Sequence, residues 1–173
     1  EGNLTVVDGQ YTFAAIEDRG LFFKYMSEYG MLVDEINGKV QYTGKAYHPD
    51  EEEMDFKAIQ HGTTDPCSLV APTNTWRLPT AEDLENLISF EKSEIGTSAV
   101  KYSDGQTDVV FYPAGMLNHL TGSFLGSNFI RLWTSSVESS TEAVTITGSV
   151  RLGLKAAKGN FGQGLAIRCV KDK

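Results

Sequence analysis

The stretch NTWRLPTAEDLENLISF, Asn74 to Phe90, decides how this chain folds. Thr80 is an N-cap residue, and Asp83 stands where a capping box needs a side chain that reaches back to the N–H of the cap. Glu82 and Asp83 place negative charge at the positive end of the helix. Leu84, Leu87 and Ile88 recur at helical spacing and define one apolar face. The spacing predicts a helix from about Ala81 to Phe90 or Glu91. Pro79 restricts the backbone just before the cap, while Trp76 and Leu78 alternate as in a short strand and place Arg77 on its other side. Arg77 is expected to pair with a nearby carboxylate or with backbone carbonyls, fixing the strand-to-helix junction. A catalytic Arg77 would need a nucleophile or a partner acid from elsewhere, and no motif supplies one. Trp76, Arg77, Pro79, Thr80 and Asp83 are therefore read as structural.

Upstream, LTVVDGQYTFAAI (Leu4 to Ile16) holds two apolar runs around the turn dipeptide Asp8-Gly9, and residues 1–17 are expected to form an N-terminal hairpin or extension. In RGLFFKYMSEYGMLV the residues Phe22, Phe23, Tyr25 and Met26 crowd together, which fits a short helix or an irregular strand. Asn37-Gly38 marks another turn. Residues 45–74 read as a long loop or insertion, with at most a helical turn after Asp50. Downstream of the helix the chain becomes strand-like. Asp104-Gly105 is a turn ahead of Val109 to Tyr112, and Ile130, Leu132 and Trp133 mark a central strand. Val144 and Ile146 alternate in the next strand, then Val150, Leu152 and Leu154, then Leu165, Ile167 and Cys169. One capped helix among several short antiparallel strands makes a single α+β domain over residues 1–173.

A chain of 173 residues is long enough to bury about two thirds of the surface its unfolded form exposes. The net charge of −8 and the lack of Lys/Arg clusters argue against nucleic acid as a partner. No apolar run is long enough to be a transmembrane segment, and the start of the chain leaves room for a lipid anchor upstream. By composition, Cys67 and Cys169 are as readily two buried thiols as one bridge. Their separation rules out a CxxC redox pair, and two thiolates alone do not make a structural zinc site.

Four phrases, read together and in order, carry a family likeness: DPCSLVAPTNTWRLPTAEDLENLI, DVVFYPAGMLN with TGSFLG, LWTSS with AVTI, and GLAIRCV. Over about residues 18 to 173 the chain resembles the secreted major paralogous domain of Fibrobacter and Bacteroidetes, a branch of the C-type-lectin-like fold. It is also similar to lectin-type domains of fimbrial or surface lipoproteins. The resemblance implies a main helix after WRLPT, a twisted antiparallel sheet, and terminal strands brought close together. GLFFKYMSEYG is similar to the early GLYF segment of the family. Trp133, Ser135 and Ser136 match its YWSS stretch, with Leu132 in place of the tyrosine. Arg168 and Cys169 match its terminal RC, and Cys67 stands where the family commonly has an upstream cysteine. The resemblance thus implies a Cys67–Cys169 bridge and export to the periplasm, cell surface or extracellular medium.

The implied function is a non-catalytic surface module, such as an adhesion or pilus-tip domain, that binds a glycan or a surface protein. The alternatives are a structural component of a surface assembly and a divergent enzyme related to the formylglycine-generating fold. The proline loop and Trp-Asn-Asp strand with which calcium-dependent lectins hold their ion are missing, as are the metal and thiol constellations of the enzymes. Cofactors are therefore not expected. His48, His61 and His119 are too scattered to suggest a metal site. The acidic run Asp50, Glu51, Glu52, Glu53 and Asp55 has oxygens suited to calcium or a basic partner but lacks EF-hand spacing, and a solvated loop explains it. Asp104 and Asp108 flank GQT, where local backbone hydrogen bonds account for them. Aromatic residues remain as ligand candidates. Trp133, Tyr102, Phe111, Tyr112, Phe124 and Phe129 lie in the half that resembles the lectin loops and sheet, and of these Trp133 and Phe111 are expected in the core. Phe124 and Phe129 sit among glycine and serine. The residues picked out for ligand binding are Phe124, Asn128, Asn118 and Asp108, with Ser135 as a further hydrogen-bonding group.

Overall fold

In the computed structural model, which describes residues 1–171, the WRLPT motif sits where several segments meet. Thr80 and Asp83 form a reciprocal capping box: Asp83 N donates to Thr80 Oγ1 at 3.1 Å, and Thr80 N donates to Asp83 Oδ2 at 2.7 Å. The helix they start, α1, spans Ala81–Ile88 and ends two to three residues short of the position the pattern predicts. Leu84 is buried and Leu87 packs on the same cluster, but Ile88 is 37% exposed at the rim. Phe90, just past the helix end, takes the place in the packing that the pattern assigned to Ile88.

The N-terminal hairpin pairs β1 (Leu4–Val7) with β2 (Gln10–Phe13), and both turn residues, Asp8 and Gly9, have positive φ as a two-residue hairpin requires. No helix forms at GLFFKY. Phe22–Phe23 is a short strand, β3, with each ring fully buried. Phe22 belongs to one core cluster and Phe23 to the other, so the strand passes between two cores and reads as an unbroken apolar run. The next hairpin pairs β4 (Gly30–Ile36) with β5 (Lys39–His48) across Asn37-Gly38.

The expected loop over residues 45–74 is corrected at its start. β5 continues to His48, and the acidic run forms an edge strand, β6 (Asp50–Glu53), with all four side chains exposed. A strand made of Asp and Glu has no apolar alternation to reveal it, and its charges guard the edge against pairing with another chain. A 3-10 turn follows at Pro66–Leu69, then β7 (Trp76–Arg77), which pairs with the last strand.

Beyond α1, β8 (Glu91–Ile95), β9 (Ala99–Ser103) and β10 (Asp108–Phe111) form a three-stranded sheet. The short β11 (Met116–Leu117) and β12 (Phe124–Leu125) attach to the main sheet. β13 (Ile130–Val137), β14 (Glu142–Ser149), β15 (Gly153–Asn160), β16 (Gly164–Ala166) and β17 (Val170–Lys171) complete the described chain. The main sheet has ten strands and runs β15-β14-β13-β16-β3-β4-β5-β6 along its path. It is not antiparallel throughout, because β13 and β16 pair in parallel. The alternation expected through Val150, Leu152 and Leu154 also fails: residues 150–152 turn the β14–β15 hairpin, and Leu152 is 86% exposed. The result is a mixed α+β fold with several sheets and one main helix among the described residues.

Candidate functional site

The residues of the opening motif are engaged with one another. Arg77 forks onto Asp83, with Nη1 to Oδ2 at 2.7 Å and Nη2 to Oδ1 at 3.4 Å, and Nη1 also donates to Leu78 O. The Arg77 guanidinium is the main reason the Asp83 carboxyl lies below its usual range. Pro79 O accepts from Ser135 N at 2.8 Å, and Ser136 Oγ accepts from Ala81 N at 2.9 Å, so the helix start rests on the end of β13. Trp133 is fully buried and donates from Nε1 to Phe23 O, while Trp76 meets Phe13 edge to face. Cys67 and Cys169 are joined in a disulfide with Cα atoms 5.7 Å apart. Asp65, which no sequence pattern marked, accepts from Cys67 N and from Leu78 N, tying the 3-10 turn to the WRLP strand.

The four ligand candidates fall in three places. Asp108 is exposed on β10 and ion-paired with Lys101 at 3.0 Å. Its carboxyl is held low first by Ser103 and then by Lys101. Asn128 accepts a hydrogen bond from Ser127 and lines a shallow cavity of about 320 Å³ beside Arg151. Asn118, just past β11, and Phe124, the first residue of β12, belong to a third region, the β11–β12 hairpin. Ser135 is taken up by the contact with Pro79 and by its carbonyl, which accepts from Tyr25 Oη at 2.9 Å.

The loop between β11 and β12 is rigidly built. Asn118 Oδ1 accepts from the N–H groups of Leu120 and Thr121, at 2.9 and 3.2 Å, an Asx turn that makes Asn118 a positioning residue. Gly122 has φ +69° and lies so close to Phe56 that a Cβ would enter the ring. Thr121 and Ser123 share a hydroxyl hydrogen bond of 2.7 Å, and both are exposed. The half-buried Phe124 ring meets Phe22 edge to face, and the Arg19 guanidinium lies 5.3 Å from its centroid.

An open cleft of about 650 Å³ lies between this loop and β5. Tyr42, Phe56 and Phe124 line it with aromatic surface, and Gln41, Asp55, Thr121 and Ser123 bring polar groups. Burial, helped by the Asp55 carboxylate, pushes the Tyr42 hydroxyl up to about 12; it stays neutral and donates to Met54 O at 2.6 Å. Asp55 in turn accepts from Lys57 N at 2.8 Å. Of these lining residues Phe124 alone was a candidate from the sequence: Tyr42 and Phe56 come from distant segments, and Thr121 and Ser123, its near neighbours, carry no motif.

The histidines are separate. His48 Nε2 lies 2.8 Å from Glu28 Oε2 and its ring stacks on Tyr29, His61 lies beside Phe161, and His119 is exposed. Among the described residues, no group of three or more His, Cys, Asp and Glu is placed to hold a metal ion. No helix of the described residues is long and apolar enough to cross a membrane. Asp104 closes its own turn by accepting from Gln106 N and Thr107 N. Tyr102 and Phe111 are buried, and Phe129 is 57% exposed. No family model, curated protein or solved structure matches the chain.

Proposed function

We propose that this protein is a non-catalytic module of the cell exterior and binds a saccharide in the cleft between β5 and the β11–β12 loop. The observation that carries the reading is the pairing, in one open cleft, of an aromatic wall at Tyr42, Phe56 and Phe124 with hydrogen-bonding groups at Gln41, Asp55, Thr121 and Ser123. Sugar rings present apolar C–H faces edged by hydroxyls, and a site of this composition meets both. The Cys67–Cys169 bridge fits an oxidising compartment, which supports placement outside the cytoplasm. The motif resemblance to lectin-like surface domains points the same way, and with it the likeness to adhesion modules of fimbriae and surface lipoproteins.

The test is a glycan array with the disulfide-intact protein, followed by titration of any hit against Phe124→Ala and Thr121→Ala/Ser123→Ala. A saccharide is expected to bind reproducibly, and each variant should weaken it about tenfold while the thermal midpoint changes little. Failure of every glycan to bind at millimolar concentration, or equal affinity of wild type and Phe124→Ala, would sink the reading. A protein partner is the second reading, favoured by Leu125 and Phe129, which are 41% and 57% exposed on either side of the Gly126 turn. Under that reading Phe129→Ser, and not Phe124→Ala, removes binding.

A further inference from the structure

A second cavity, of about 550 Å³, lies on the side of α1 that faces β10 and the C-terminal segment. Its walls include Leu84, Leu87, Phe90, Val109 and Phe111, and Arg168 stands among them. The Arg168 backbone is held on both sides. Ile167 O accepts from Leu4 N at 2.8 Å, Cys169 is in the disulfide, and Val170 pairs with Arg77. Ile167 and Cys169 sink into the core cluster around Trp133, whereas Arg168 lines the cavity with its guanidinium 5.3 Å from the Phe111 ring centroid. Besides this ring contact the guanidinium feels the charge of Glu1, which also lines the cavity, and among the described residues no hydrogen-bond acceptor is placed on it.

A half-buried guanidinium at the wall of an apolar cavity suits a carboxylate, since planar bidentate pairing is its strongest contact. Burial pushes the Arg168 group down to about 10, with the charge of Glu1 acting the other way; the guanidinium stays charged at neutral pH and can pair with an anion in the cavity. Of the other lining charges, Asp83 is on Arg77 and Asp108 on Lys101, while the Glu1 carboxylate acts on Arg168 through its charge and is what an entering carboxylate competes with. Lys171 is exposed, 5.9 Å from the Trp76 ring centroid.

We propose that this cavity is a binding site for an apolar monocarboxylate, with the carboxylate on Arg168 and the hydrocarbon against Leu84, Leu87 and Phe90. The ligand is a free aliphatic or aromatic acid. No bond is made or broken, and the site is separate from the saccharide cleft, so either proposal can fail alone. Trp76 lines the cavity and reports on occupancy.

Titration of the intact protein with octanoate, 4-phenylbutyrate and octanol, followed by tryptophan fluorescence and calorimetry, tests this directly. At least one acid should bind saturably, about tenfold or more tighter than octanol; which acid wins distinguishes an aliphatic from an aromatic ligand. Arg168→Met should remove that preference, Arg168→Lys should keep part of it, and Lys171→Gln should change affinity less than about twofold. Equal binding of acid and alcohol by wild type would overturn the proposal without recourse to any variant. So would absence of saturation by both acids, or a larger effect from Lys171→Gln than from Arg168→Met.

Discussion

Asp83 does three jobs with one carboxylate: it accepts from Thr80 N, bonds the Thr80 hydroxyl and pairs with Arg77. These partners, Arg77 first, hold its folded pKa below the ordinary 3.8. A depressed carboxyl contributes stability that is fully present above the unfolded pKa and is lost as pH falls through the folded one. Asp83→Asn should therefore destabilise the protein by about 1 kcal/mol at neutral pH, and the deficit should shrink below about pH 4. Urea unfolding of both proteins from pH 7 to pH 2.5 measures it; a deficit that is constant across that range would show that the carboxylate charge is not what matters. Asp83 and its cap were legible because every contact lies within seven residues along the chain. Asp65 was not. It reaches Leu78 N at 2.7 Å across a sequence distance that leaves no periodic trace, and burial raises its carboxyl although Leu78 N and Cys67 N draw it down. Arg168 was visible only as part of an RC motif. That its guanidinium stands at the wall of an apolar cavity follows from segments far along the chain, and the local sequence does not specify that.

At the scale of the element, α1 has eight residues, too few to be stable in water alone, so its persistence depends on the cap and on one buried face. Leu84 is 1% exposed and Ile88 37%, which separates the anchoring position from the rim. Leu84→Ala should cost about 3 kcal/mol, Thr80→Ala about 1, and Ile88→Ala less than either, read from denaturant midpoints. Similar losses at Leu84 and Ile88 would contradict the packing described. Strands followed a different rule. Hairpins β1–β2 and β4–β5 were readable from Asp-Gly and Asn-Gly, whose positive φ values demand those residue types. β3 was ambiguous because Phe22 and Phe23 are buried on opposite faces, so the period-two pattern that identifies a half-exposed strand is missing. β6 was hidden for the opposite reason: all four of its side chains face water.

For the whole molecule, the disulfide closes a sequence separation of 102 residues and joins the turn before WRLP to the last strand. Loop-closure entropy of that size is worth about 4 to 5 kcal/mol, so Cys67→Ala/Cys169→Ala should lower the unfolding free energy by about that amount. Urea titration of oxidised wild type against the double variant checks it, and a loss below about 1 kcal/mol would mean the folded packing alone holds these segments together. The phrases that looked separate in the sequence converge here: Ser135 meets Pro79, Ser136 meets Ala81, Tyr25 reaches Ser135, and Trp133 reaches Phe23. The sequence by itself determined the capped helix, the tight hairpin turns, the burial of Trp133 and the α+β class, because each rests on local backbone preference or on a strongly apolar side chain. Tertiary structure alone decided the parallel β13–β16 pair, the acidic edge strand, the cleft at Phe124 and the cavity at Arg168. Pairing direction and concave surface arise from segments far apart in the chain, and their chemistry exists only once folding has brought those segments together.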